Sequence, residues 1–115
     1  MQDIREADWK RFRPVREAAL QRFCQRVLSE AAQIAAGNGQ DGASYHERYG
    51  KLYGLIKRRD KELARMFDGM SRSSAMLQLA MLCKEGLVTE EEFAIFSPEL
   101  QERVQGILSF AMKQA

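Results

Sequence analysis

With 115 residues, 45% of them hydrophobic and 30% charged, the chain fits a single globular domain spanning 1–115. That is large enough to bury a core without disulfides or a structural metal. The net charge is only +2, no run approaches the roughly 18 apolar residues of a membrane span, and residues 1–6 lack the apolar stretch of a secretory signal, so a cytoplasmic protein with no membrane partner is expected.

The first helix is expected from Pro14, whose missing N–H costs little at a first helical position, to about Ala36. A partly ordered N-terminal segment over 1–13 precedes it, with a short turn near residues 8–13. Leu20, Phe23, Cys24, Val27, Leu28, Ala31, Ile34 and Ala35 recur at helical spacing and form one apolar face. Gly37-Asn38-Gly39-Gln40-Asp41-Gly42 stops this helix and forms a flexible glycine-rich loop over 37–43. Ser44, with Glu47 three residues on, reads as a capping box for a second helix to about Phe67. Its apolar arc holds Tyr45, Tyr49, Leu52, Leu55, Ile56, Leu63, Met66 and Phe67.

Ser71 or Ser73 is expected to cap a third helix through Glu85, with Gly86 at C′ and Leu87 turned back onto the last turn. Thr89 and Glu92 form a second capping box, opening a short helix through Phe96. Ser97-Pro98-Glu99 opens the last helix, with the arc Leu100, Val104, Ile107, Leu108 and Ala111. No segment alternates convincingly with period two. The expected fold is all-α, a small helical bundle of four main helices plus a short connecting helix.

Catalytic chemistry has little to stand on. His46 is the single histidine and lies in a capping sequence, a poor place for an oriented base. Cys24 and Cys83 form no CxxC pair, fall on apolar faces and are expected to be reduced and buried. No zinc ligand set, no Glu-x-x-His pair and no glycine-rich phosphate loop occurs. The expectation is no catalytic residue, no metal and no cofactor.

Three surfaces are candidates for binding. Charge is uneven: 15 Lys and Arg stand against 10 Asp and Glu through Arg72, and 3 against 6 from Ser73 onward. Arg11, Arg13, Arg16, Arg22 and Arg26 concentrate the positive charge on the first helix, with Lys10 beside them and Trp9 and Phe12 able to stack on bases. This is the candidate nucleic-acid surface. Against it, the isoelectric point near 8.7 falls below the value of about 9 typical of such domains. The same arginines can also lie beside the acidic Glu90, Glu91 and Glu92. Arg48, Arg59 and Asp60 sit within or at the edge of the second helix's apolar arc. There they are paired, snorkel to water, or hold an anionic ligand.

The third surface is apolar. Ala75, Met76, Leu79, Leu82 and Cys83 form one arc of the third helix, with Leu77 and Met81 opposite. A helix apolar on nearly all sides in so small a chain favours a face shared with a partner. Gly50 and Gly54, one turn apart and away from the apolar arc, invite close approach of a helix or mark an irregular helix start. The candidate oligomer interface is therefore Leu77, Met81, Gly50, Gly54 and Phe110. Beside the glycines, Lys57, Arg58, Lys61 and Arg65 read as a solvated face.

Gly86-Leu87-Val88-Thr89-Glu90-Glu91-Glu92-Phe93 resembles the G-[IL]-[IV]-T-E-E-E-[FL] turn of short C-terminal oligomerisation domains in bacteria. The chain departs from that pattern after Phe93, where Ala94-Ile95-Phe96-Ser97-Pro98 breaks and restarts the helix. The resemblance implies a role in self-association. The leading expectation is a non-enzymatic helical interaction or self-association domain, as a homodimer or with a protein partner. Nucleic-acid association through the first helix, or a small anionic ligand near Arg48 and Arg59, are the alternatives.

Overall fold

The structure, a computed structural model, describes residues 4–37 and 42–114, without the side chains of 112–114. Five helices form: α1 (Glu6–Ala36), α2 (Tyr45–Phe67), α3 (Ala75–Lys84), α4 (Glu90–Ala94) and α5 (Pro98–Gln114). No strand occurs among the described residues. This is the expected all-α bundle of four main helices and one short connector. Residues 38–41 of the glycine-rich loop and 1–3 of the N-terminal segment lie outside the described residues.

The first helix differs most from expectation. It starts at Glu6, about two turns before Pro14, which stands exposed inside the helix. Asp8, Phe12, Val15, Ala19 and Phe23 are all buried, so one inward face runs straight across the proline. A helix-interior proline costs about 3 kcal/mol. Burying Phe12 and Val15 contributes about 1.5–3 kcal/mol each, which offsets that cost, and the rest of the buried face carries the helix through.

The main core gathers Phe12, Val15, Ala19 and Phe23 of α1 with Met66 and Phe67 at the end of α2. Ala75, Leu79, Ala80 and Leu82 of α3, Leu87, Phe96, and Leu100 and Val104 of α5 complete it. No described residue of α1 beyond Val27, or of α2 before Leu63, joins this core. The far halves of α1 and α2 therefore run beyond it as a two-helix arm, and the molecule measures 54 × 29 × 24 Å.

Local stop and start signals act as read. Ser44 and Glu47, and likewise Thr89 and Glu92, form reciprocal capping boxes. At the end of α3, the N–H of Leu87 donates to Leu82 O and that of Gly86 to Cys83 O, both at 3.0 Å. Gly86 takes φ +70°, a Schellman stop whose Leu87 is fully buried. The third helix starts one step later than expected. Ser74 is its N-cap residue, and the Ser71 hydroxyl accepts the Ser74 N–H at 3.3 Å within the preceding turn. The fourth helix ends at Ala94, before Phe96, which turns into the core.

Candidate interaction surface on the arm

The basic stripe of α1 is turned largely toward the ends of other helices. Arg16 donates to Phe67 O at the end of α2, with its guanidinium 5.5 Å from the centre of the Phe67 ring. Arg22 donates to Leu87 O at 2.8 Å and makes two bonds to the Glu92 carboxylate, at 2.7 and 2.9 Å. Arg26 donates to Glu85 O at 2.7 Å and Gly86 O at 2.8 Å. Helix C-termini leave carbonyls without intrahelical partners and carry partial negative charge, so cations dock there. The Arg22 bonds hold the Glu92 carboxyl below its ordinary pKa, partly offset by burial, and they raise that of Arg22.

Of the five arginines read as a nucleic-acid surface, Arg16, Arg22 and Arg26 thus join α1 to the rest of the bundle, while Arg11 and Arg13 are exposed. The stacking pair is not open either. Phe12 is fully buried, and Trp9 packs beside it at 6.2 Å with Arg72 over its ring.

Of the anion-site candidates, Arg59 and Asp60 border one hollow, while Arg48 lies about three turns away along α2. Arg59 makes two bonds to Glu30 on α1, at 3.1 and 3.0 Å, and one to Glu62 at 2.8 Å. The Arg59 bonds lower the Glu30 pKa, against a smaller opposing effect of burial. Arg59 is therefore a pin across the α1–α2 seam. Arg48 lies over the Tyr45 ring, 4.5 Å from its centre, and against Gly37. Asp60 is exposed at the rim of an apolar hollow.

That hollow, about 320 Å³, opens between Phe23, Cys24, Val27 and Leu28 of α1 and Ile56 and Leu63 of α2, with Arg59 and Asp60 at its edge. It is the inner end of a longer uncovered face. Tyr45, Tyr49, Tyr53, Ile56 and Leu28 are 85, 70, 60, 45 and 67% exposed. At 100° per residue, Tyr45, Tyr49, Tyr53 and Ile56 share one strip along α2. Tyr45 and Tyr49 were expected on the buried arc. They do lie next to it, but among the described residues no further element covers them.

The expected interface residues are dispersed. Leu77 is 47% exposed, but Met81 is half-buried against the core, because α3 packs on both its sides. Phe110 is exposed on α5 and borders a shallow groove with Met76, Arg103, Gly106 and Ile107. Neither Gly50 nor Gly54 is approached by backbone: a Cβ would meet nothing within 4 Å at Gly50, and only the Arg58 guanidinium at Gly54. Cys24 and Cys83 are free and only half-buried, less enclosed than expected. Burial still pushes the Cys83 thiol up to about 11.

Among the described residues no group of three or more His, Cys, Asp or Glu can hold a metal ion, and no helix is long and apolar enough to cross a membrane. Sequence reasoning missed Asp8, which is almost fully buried and accepts two hydrogen bonds from Ser97 at the start of α5. Its only signal was an acidic residue in a first helical turn. Set against known proteins, the chain matches no family model, no curated protein and no solved structure. The likeness at residues 86–93 thus rests on the Schellman stop and capping box described above.

Proposed function

We propose that the protein is a helical interaction module whose docking surface is the uncovered face of the α1–α2 arm. The observation that carries this reading is the exposure of five large apolar or aromatic side chains on one side of a two-helix arm. Single exposed apolar residues are ordinary, but a contiguous strip of this kind marks an interaction surface. Two helices bury only one stripe each against one another, and helical proteins cover the remainder with further helices. Tyrosine suits such a surface, since it offers a large rigid area at little conformational cost and tolerates water when unbound.

A photo-reactive residue placed at Tyr49 in the full chain tests the reading inside cells, with the same residue at exposed Glu102 as the comparison. A discrete protein adduct from position 49, identified by mass spectrometry and absent from position 102, is the expected result. Equal labelling from both positions, or none from position 49, would overturn it.

A further inference from the structure

We infer that the occupant of this surface is a second copy of the same chain, packed arm against arm about a two-fold axis. The inference rests on the docking reading above and adds the identity of the partner. Its first support is charge. Over residues 21–36, α1 carries only Arg22, Arg26 and Glu30 as charged residues. All three are engaged within the chain, by Glu92, by the carbonyls that end α3, and by Arg59. Apart from Arg26, which is exposed but held against the end of α3, what this half of α1 turns outward is uncharged: Gln21, Gln25, Leu28, Ser29, Ala32, Gln33, Ala35 and Ala36. In a two-fold contact the same patch meets itself, so any charge near the axis faces its own sign, a costly arrangement. Away from Asp60, which lies at the inner rim of the hollow, the patch is neutral and meets itself without that cost.

The second support is where the positive charge goes. Lys57, Arg58, Lys61 and Arg65 are exposed on the side of α2 away from the core and beyond the tyrosine strip. Lys57 folds back toward the Tyr53 ring, 5.9 Å from its centre. Two arms meeting through the neutral face leave these cations on the outside of the pair.

The third support is size. Large aromatic side chains bury on the order of 150–250 Å² each. At their exposures, the three tyrosines with Leu28 and Ile56 offer about 600 Å² per copy. Two copies together reach roughly 1,200 Å², the lower bound of a stable specific interface, before Ala32 and Ala35 are counted. Small residues at these positions let helix axes approach to about 8–10 Å. The product is a four-helix bundle made from two two-helix arms.

Sedimentation of the purified full chain from low to tens of micromolar, beside the Leu28→Glu/Ala32→Glu variant, decides the matter. The expected result is a wild type of twice the 13.2 kDa chain mass and a variant of single mass with undiminished helical circular dichroism. Both substituted side chains are exposed, so the variant is expected to fold. If its helicity falls, Tyr49→Glu takes its place. A wild type that stays monomeric overturns the inference, and so does a folded variant that keeps the double mass. A monomeric wild type that still gives a heterologous adduct at Tyr49 rejects the second copy and leaves the docking surface standing. No adduct at all rejects both.

Discussion

The Asp8 carboxylate accepts the backbone N–H of Ser97 at 2.8 Å and its hydroxyl at 2.6 Å, joining the first turn of α1 to the start of α5 across 89 residues of sequence. The Ser97 hydroxyl in turn accepts the N–H of Leu100 at 3.2 Å. One carboxylate thus supports the N-cap of another helix and orients its capping side chain. Hydrogen bonds to a charged group contribute about 1.5–3 kcal/mol, and a lost cap costs about 1. Asp8→Ala is expected to destabilise the fold by about 2–3 kcal/mol, read from the urea midpoint, with Asp8→Asn losing less. An unchanged midpoint in Asp8→Ala would mean that the bridge does not form.

Arg22 and Glu92 give a second link between α1 and the distal elements, and one with a pH signature. The Glu92 carboxyl titrates below its ordinary value because Arg22 donates to it. A lowered folded pKa stabilises above the unfolded pKa of about 4.3 and is lost as pH falls through the folded value. Glutamine at position 92 keeps the capping box and removes the charge. Glu92→Gln is therefore expected to be less stable than the wild type at pH 7, with the gap closing below about pH 4.3. A gap of constant size from pH 7 to pH 3 would contradict the ion pair.

Signals confined to a few neighbouring residues were legible in the sequence. Ser44 with Glu47, Thr89 with Glu92, and Gly86 with Leu87 each fix a helix end through contacts within one turn. Pro14 misled because its local preference for a helix start yields to the burial of Phe12 and Val15, which depends on residues far along the chain. The wheel placed Tyr45 and Tyr49 near Leu52 and Leu55 on α2, correctly as to their side. It carried no information on whether another helix covers the arm at that height. The cations Arg16, Arg22 and Arg26 were visible as a stripe, but their carbonyl partners lie in other helix ends brought near only by the fold. Leu77 and Met81 stand opposite the buried arc when α3 is read alone, yet Met81 packs against the core, for the same reason.

Ser44→Ala is expected to cost about 1 kcal/mol, since the Ser44 hydroxyl accepts the Glu47 N–H at 3.1 Å and forms one half of the capping box that starts α2. Because the outer arm is not part of the main core, the loss is expected to appear first as faster amide exchange in the first turns of α2. Uniformly unchanged exchange there would show that the cap does not hold the helix start.

The two thiols are expected to separate by reactivity. The thiolate is the reactive form, and burial raises the Cys83 pKa to about 11, so at pH 8 almost none of it is ionised. Cys24 borders the open hollow on the arm. A thiol reagent at pH 8 is expected to label Cys24 first and Cys83 only slowly, with both reacting at once in denaturant. Equal rates in the native protein would contradict the burial of Cys83.

Gly50 offers a test that reads the fold and the arm surface together. It lies inside α2, is exposed, has no positive φ, and leaves open space where a Cβ would stand. Glycine at such a position is worth about 1 kcal/mol less than alanine, through backbone freedom lost on folding. Gly50→Ala is therefore expected to raise stability by up to about 1 kcal/mol. At 100° per residue, Gly50 falls on the side of Lys57 and Lys61, beyond the strip of Tyr45, Tyr49 and Ile56. An arm-to-arm contact through the tyrosine strip and the neutral side of α1 leaves it at the outer surface, so the sedimenting mass should not change. A substitution that lowers the mass would show that a partner approaches α2 closely on its glycine side, and would move the contact there. A substitution that lowers stability while leaving the mass alone would mean instead that the helix is irregular at Gly50. Measuring the urea midpoint and the solution mass on the same preparations separates the three results.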